Sequence, residues 1–224
     1  MTRRMIFPLL LGALGAAVLA GLGFWQVDRL AWKEAILADI DARMTADPVS
    51  IPEAPDYARD NYRRVQVRGD LAGPELHVLV TRKPDGPSFR VIRALESRAH
   101  GRIMVDLGTV PEAAKTTDRP GGPVLVEGNL IWPDETDGFT PDPDQAGNMW
   151  FARDVDIMAA ALDARPVMVV ASATDPALEP RPWPVGVNIP NDHLQYAITW
   201  FSLLVIWVGM TLYLVARIRR NDRI

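Results

Sequence analysis

The sequence predicts a membrane protein of α+β class: two transmembrane helices flank an extracytoplasmic, mainly antiparallel β domain with one or two helices. Two observations predict this arrangement. The first is a pair of long apolar segments, one near each end of the 224 residues. The second is a central region of short Val- and Ile-rich segments separated by Gly, Pro and Asp clusters, the pattern of antiparallel strands joined by turns.

The two apolar segments have the length of membrane spans. Residues 5–27 are interrupted only by Gln26, and residues 196–216 contain no charge. Each is long enough to cross about 30 Å of hydrocarbon as a helix. A basic start makes the first segment similar to a signal peptide, but its apolar run continues through Trp25, past the roughly 7–15 residues of a signal-peptide core. We therefore predict a retained anchor.

Both ends of the chain are basic, through Arg3, Arg4, Arg217, Arg219, Arg220 and Arg223. Because Lys and Arg beside a span stay in the cytoplasm, both ends are predicted to be cytoplasmic. The predicted segments are a cytoplasmic N-terminus (1–4), a transmembrane helix (5–27), a periplasmic α+β domain (28–195), a second transmembrane helix (196–216) and a cytoplasmic C-terminus (217–224). We expect a multi-pass protein of the bacterial inner membrane.

Charge and cysteine content exclude several classes of function. The basic ends carry +2 and +3, so the region between them carries −9 of the total −4. A domain this acidic does not bind nucleic acid by counterion release and does not lie on anionic lipid. The sequence has no Cys, which excludes a disulfide framework, covalent c-type haem attachment and a thiolate copper site.

The elements follow in order along the chain. Trp32, Ile36, Ile40 and Met44 recur every four residues, which predicts that the first span continues as a helix over 26–44. Six strands are predicted, at Arg63–Gly69, Leu76–Arg82, Phe89–Leu95, Arg102–Leu107, Val124–Trp132 and Pro166–Ser172. Asp154–Ala164 is predicted as a helix with Asp154 as its N-cap. We expect a small sheet or an open barrel.

Standard catalytic signatures are missing, and we predict that the protein is not an enzyme. The sequence has no HExxH, GxSxG, P-loop or GxGxxG motif. It has three His. His77, in a strand pattern, and His100, in a turn, are predicted to face solvent.

His193 differs from the other two because it lies in the first turn of the second span, at the boundary of water and lipid. One interpretation is a polar residue that anchors the helix end; another is an axial ligand to a haem iron. The positive end of a helix favours the neutral imidazole that coordinates metals. Ala197 leaves room for a flat macrocycle, and Trp200, with Phe201 and Leu204, extends an apolar wall that is equally typical of a helix contact.

A face of small residues in the first span predicts close packing with another helix. Gly12, Ala16 and Ala20 are spaced four apart, with Gly15 and Gly23 nearby. The partner is either the second span or a helix of another protein.

Two segments resemble the Surfeit locus protein 1 family, whose members are assembly factors for haem-a-containing cytochrome c oxidase. They are Gly23–Lys33 (GFWQVDRLAWK) and Asn191–Phe201 (NDHLQYAITWF). Tyr62–Gly69 and Asn148–Asp154 are weaker similarities. The chain departs from the family at Val105–Pro111, where many members have an Asn-Arg-Gly-Trp run before a Pro.

The resemblance implies a protein that holds haem a and helps to deliver it to oxidase subunit I, with haem a synthase as a further partner. It implies His193 as axial ligand of the haem iron, with Trp200 and Ala197 beside the cofactor. Trp25 is expected at the membrane interface near His193. Arg29 is expected either to pair with a haem propionate or to contact lipid headgroups.

Two alternatives remain at this point. The first is a membrane scaffold that holds nascent subunit I and never binds haem. The second is an enzyme that converts haem o to haem a, which the sequence disfavours because such chemistry needs metal or redox ligands and a single well-placed His is too few.

The orientation in the membrane is testable with reporter fusions. Because the arginines flank the spans on their outer sides, a fusion at residue 224 is expected to report the cytoplasm and fusions within 60–180 the periplasm. A cytoplasmic signal from the central fusions would contradict the predicted arrangement.

Overall fold

The computed structural model describes residues 3–83, 86–186 and 189–221, without the side chains of residues 3 and 4. The predicted cytoplasmic ends, including Arg223, lie partly outside these residues. The helices are α1 (Arg3–Thr45), α2 (Tyr57–Asp60), α3 (Val155–Ala161) and α4 (His193–Asn221). The strands are β1 (Val49–Ser50), β2 (Arg64–Arg82), β3 (Gly86–Ser97), β4 (Gly101–Pro111), β5 (Gly122–Leu130) and β6 (Met168–Asp175). The chain divides into two compact units, Met1–Asp39 with Asn188–Ile224, and Ile40–Val187.

Helices α1 and α4 are long and apolar enough to cross a membrane, as the sequence predicts, and they alone pass this test among the described residues. Many of their apolar side chains are exposed, for example Phe7 (73 %) and Val205 (72 %). Exposed apolar surface of this extent requires an apolar partner, and the two helices are consistent with a membrane protein. The predicted continuation of the first span is confirmed, because α1 runs unbroken to Thr45, a length of about 65 Å.

The central unit is a mainly antiparallel barrel. Strand β2 pairs with β5 along residues 64–71 and with β3 along residues 70–82. The remaining neighbours are β3–β4, β4–β6 and β6–β5, so the sheet closes on itself. Pairing is antiparallel except between β4 and β6 and between β1 and β2. The barrel is closed, whereas a small sheet or an open barrel was expected.

The prediction of separate strands at 63–69 and 76–82 is wrong, because both belong to β2. The Gly and Pro between them form a bulge within the strand instead of a turn, with a register shift between Ala72 and Glu75. Gly73 adopts φ +71° there, a conformation that glycine allows without strain. The bulge lets β2 change direction and reach both of its neighbours.

Both faces of the sheet are buried, each by a different set of residues. Val91 and Leu95 of β3 pack inside the barrel, whereas Ile92 and Ala94 between them pack outside. Successive side chains of a strand point to opposite faces. The outer cluster includes Met158 and the other buried residues of α3. Helix α3 therefore explains why β3 and β4 each have eight consecutive buried residues.

Helix α3 begins as predicted and ends earlier. Oδ1 of Asp154 accepts hydrogen bonds from the N–H groups of Asp156 and Ile157, both at 3.1 Å, so the predicted N-cap is confirmed. The helix stops at Ala161, three residues short of the predicted end, because the chain turns at Asp163, whose φ is +49°.

The prediction that His77 faces solvent is wrong, because the segment before α3 covers it. Trp150 N–H donates to the His77 carbonyl oxygen at 2.9 Å, and the Asn148 amide bonds the His77 ring and backbone. The His77 ring also lies 3.1 Å from a Glu75 carboxylate oxygen. His77 is thus a buried structural residue, 7 % exposed. His100 is half-buried, 3.1 Å from Ser50 Oγ.

A buried carboxylate, Asp106 of β4, joins three parts of the central unit. It lies 2.6 Å from Arg90 Nε of β3 and 3.1 Å from Arg153 Nη1, before α3. Arg153 also pairs with Glu135, and Arg90 donates to the Trp183 carbonyl oxygen at 3.0 Å. Burial acts to raise the pKa of Glu135, but the hydrogen bonds and charge of Arg153 outweigh it and hold that pKa below its usual range. Every charge in this network has a counter-charge.

We expect Asp106→Asn to lower the free energy of unfolding by about 3–5 kcal/mol, because it leaves buried guanidinium groups without their shared counter-charge. Chemical denaturation of the full chain in detergent, followed by near-UV circular dichroism, measures the change. The matched control is Asp70→Asn, an exposed Asp of β2. Equal losses in the two variants would contradict a network centred on Asp106.

Candidate functional site in the helix pair

Helices α1 and α4 form an antiparallel pair. The contacts run from Phe24 with Phe201, whose ring centroids lie 5.4 Å apart, to Trp207, whose indole N–H donates to the Gly12 carbonyl oxygen at 3.0 Å. Residue numbers fall along α1 as they rise along α4. The second span is therefore the partner of the small-residue face, a choice that the sequence left open.

Glycines on α1 make this approach possible. A Cβ atom at Gly15 would lie 2.5 Å from the Trp207 ring, and one at Gly23 would lie 2.7 Å from the Phe201 ring. A Cβ atom at Gly12 would overlap Thr211. Any larger residue at these positions would push the helices apart, so the small face sets the distance between them.

A hydrogen bond between two polar side chains joins the helices at the start of α4. Nδ1 of His193 lies 2.7 Å from Oε1 of Gln26. Gln26 is 8 % exposed and His193 is half-buried. His193 is the first residue of α4, directly after Asp192, so the predicted position in the first turn is confirmed.

The identity of the two atoms determines what the His193 ring can do. With the Gln26 amide oxygen as its partner, Nδ1 is the donor, so this orientation of the amide assigns the proton of the neutral ring to Nδ1. In the neutral ring Nε2 then holds a free lone pair. Nε2 has no hydrogen-bond partner among the described residues. The arrangement matches that of metal-binding histidines, which donate their second N–H to a carbonyl or carboxylate oxygen.

Two further polar groups lie close to this pair along the helices. Lys33 of α1, two turns beyond Gln26, donates through Nζ to the Pro190 carbonyl oxygen, which fixes the segment that leads into α4. Oδ1 of Asn191, two residues before His193, is buried and has no partner among the described residues. Buried acceptors without a partner are uncommon in folded proteins, and this one is two residues from His193 along the chain, which is consistent with a ligand site.

The predicted residues of α1, Trp25, Arg29 and Trp32, share one part of the helix surface, next to the part that carries Gln26. Trp25 is 52 % exposed and Trp32 is 53 % exposed. The Arg29 guanidinium lies over the Trp32 ring, 4.4 Å from its centroid. Arg29 follows Gln26 by three residues, so it lies on a neighbouring part of the helix surface and not on the far side.

The two predicted residues of α4, Trp200 and Ala197, differ in burial. Trp200 is half-buried and lies two turns beyond His193. Ala197 is 3 % exposed, one turn from His193 and one turn from Phe201. Its methyl group is buried within the protein. The assignment of Trp25, Arg29, Ala197 and Trp200 as cofactor-binding residues stays a prediction.

The sequence did not lead us to assign a role to Gln26, although it contained a signal. Gln26 is the one polar interruption of the apolar segment 5–27. Polar side chains within spans are rare and are usually functional, so the interruption itself indicates a site. The sequence could not predict its partner, because 167 residues separate Gln26 from His193.

Comparison with known proteins identifies the family. The chain matches the SURF1 family over residues 13–205. The chain belongs to the SURF1 family. It is 32 % identical over 217 residues to a SURF1-like protein of Monosiga brevicollis, covering 87 % of this chain and 82 % of that protein. It is 29 % identical to Surfeit locus protein 1 of Rattus norvegicus (82 % of this chain, 67 % of that protein) and of Homo sapiens (82 % and 69 %).

The SURF1 match confirms the resemblance drawn from the two motifs. The matched residues include Gln26, His193 and the whole barrel between them. SURF1 proteins are known as cytochrome c oxidase assembly factors and not as classical enzymes.

The packing of α1 against α4 can be tested without changing Gln26 or His193. We expect Gly15→Leu to separate α1 from α4, because even a Cβ atom at this position overlaps the Trp207 ring. Distances measured by double electron–electron resonance between spin labels at the exposed positions Val18 and Val205 should lengthen. Gly21→Leu is the matched control, since a Cβ atom at Gly21 meets nothing within 4 Å. Unchanged distances in Gly15→Leu would contradict the observed packing.

Proposed function

We propose that this SURF1-family chain binds haem a through His193 and assists its insertion into cytochrome c oxidase subunit I. The observation that carries the proposal is the His193–Gln26 hydrogen bond, which leaves Nε2 of His193 free to coordinate iron. Haem iron commonly takes an imidazole nitrogen as its axial ligand.

The surroundings of His193 favour haem over a bare metal ion. No group of three or more His, Asp or Glu side chains in the described part of the chain could hold a metal ion. A metal bound at Nε2 must therefore bring other ligands with it. Haem iron does so, because the porphyrin supplies four nitrogens and the protein needs to add only the axial ligand.

Side chains within two helical turns of Gln26 or His193 suit an amphipathic ligand. Trp25 and Trp200 offer aromatic surface for a macrocycle, and Arg29 offers a cation for a propionate. Asn191 Oδ1 offers an acceptor for a polar substituent. When bound, the haem supplies the iron centre; the protein holds, orients and later releases it. One protein ligand is compatible with that release.

Location and partners are further parts of the proposal. We propose that the chain lies in a bacterial inner membrane with the barrel in the periplasm, since the arginines flank the outer ends of the spans. Subunit I is the proposed recipient and haem a synthase a further partner. A scaffold for nascent subunit I without haem binding is the alternative.

His193→Ala tests the assignment. We expect haem a binding to the purified full chain to weaken by more than about 10-fold, the loss that even indirect partners of a metal ligand can produce. The chain should still insert, because a half-buried side chain at a helix end leaves no large cavity. The absorption spectrum of residual bound haem should also shift, because the axial ligand sets the state of the iron.

His100→Ala is the matched control, a half-buried histidine of the barrel with a single side-chain partner. It should bind haem a as the unaltered chain does. An unchanged affinity and spectrum in His193→Ala would remove the ligand assignment. Absence of haem a from the unaltered chain, even after addition of excess haem, would favour the scaffold alternative.

A further inference from the structure

The role of Gln26 follows from its placement. A buried amide costs free energy unless its polar atoms are paired, and an apolar residue would pack in this helix without that cost. Oε1 of Gln26 makes its one observed hydrogen bond with His193. The described structure therefore offers one reason for a glutamine here, which is the orientation of the His193 ring.

We propose that Gln26 is a positioning residue, which holds His193 in the tautomer that leaves Nε2 free and so makes haem ligation depend on the pairing of α1 with α4. This inference rests on the proposed function. A neutral imidazole exchanges its proton between two nitrogens, and the tautomer present is set by the partner of the other nitrogen. With an acceptor at Nδ1 the proton stays there, and Nε2 remains able to coordinate.

Gln26 and His193 lie on different helices, and this arrangement offers a means of releasing the haem. The acceptor is present at Nδ1 only while α1 lies against α4 at the distance that the glycines allow. Separation of the helices removes the acceptor that orients the ring, and once iron has left Nε2 the proton can move there and block rebinding. A recipient protein that inserts between the helices would thereby weaken the hold on the haem.

Glutamine suits this task better than glutamate. Both offer an oxygen acceptor to Nδ1, but a carboxylate adds a negative charge that is costly at the edge of the membrane. A carboxylate partner also makes an imidazole a stronger donor to its metal. An uncharged amide orients the ring without that effect and so keeps the bond to iron weak enough for transfer.

The tautomer is measurable in the haem-free full chain by ¹⁵N NMR of histidine side chains at pH about 9, above the usual imidazole pKa. The chain has three histidines, and the signal missing from His193→Ala identifies His193. We expect the Nδ1-protonated form in the unaltered chain and in Gln26→Glu, which keeps an acceptor. Gln26→Met, of similar shape without an acceptor, should shift the ring toward the Nε2-protonated form.

Haem a binding provides the second readout. Gln26→Met should weaken it by about 10–100-fold, the usual effect of removing the partner of a metal ligand. Gln26→Glu should restore affinity and lower the midpoint potential of the bound haem. Thr211→Val is the matched control, because Thr211 lies on the same helix contact and its hydroxyl bonds only its own helix, to the Trp207 carbonyl oxygen. It should change neither the tautomer nor the affinity.

The outcomes separate this inference from the proposed function. If His193→Ala binds haem a normally, the proposed function fails and the Gln26 role falls with it. If His193→Ala loses haem while Gln26→Met keeps both tautomer and affinity, the function stands and the Gln26 inference is overturned. An Nε2-protonated His193 in the unaltered, haem-free chain overturns the inference without any variant.

Discussion

The close approach of α1 and α4 is the constraint on which the candidate site depends. Glycines at positions 12, 15 and 23 leave room for Thr211, Trp207 and Phe201 of the opposite helix. At that distance the Gln26 side chain reaches His193 across the pair, with 2.7 Å between the bonded atoms. Each residue finds this partner on the opposite helix, so the hydrogen bond forms only when the two helices pack together. The small residues and the polar pair are therefore parts of one arrangement, in which packing places the acceptor and the acceptor orients the ring.

The Asp106 network and the start of α4 differ in whether their polar groups are paired. In the barrel unit Asp106, Arg90, Arg153 and Glu135 neutralise one another, which is the pattern of a structural network. At the start of α4, Nε2 of His193 and Oδ1 of Asn191 have no partner in the described part of the chain. An unpaired polar atom costs stability unless a ligand pairs with it. Two such atoms lie within three residues of each other here, and we interpret them as groups that a ligand would pair.

The sequence predicted the helices and the class of the barrel unit well, because long apolar runs and β-rich segments depend on local pattern. The N-cap at Asp154 and the extension of α1 to Thr45 were local features of this kind. The sequence-based predictions were wrong or incomplete where segments distant along the chain come into contact. His77 is buried by a segment 71 residues away, and the bulge at Gly73 joins two predicted strands because β2 pairs with two partners. His193 was found from its position and the family motif, whereas Gln26 gained its role only from the opposite helix.

The central claim is that His193 supplies a nitrogen ligand to haem iron. Electron–nuclear double resonance of the ferric haem complex, prepared with ¹⁵N-labelled histidine in the intact chain, measures this bond directly. The account predicts a strong hyperfine coupling to one histidine nitrogen, absent from the complex of His193→Ala. A chain that binds haem a stoichiometrically without any coupling to histidine nitrogen would contradict it.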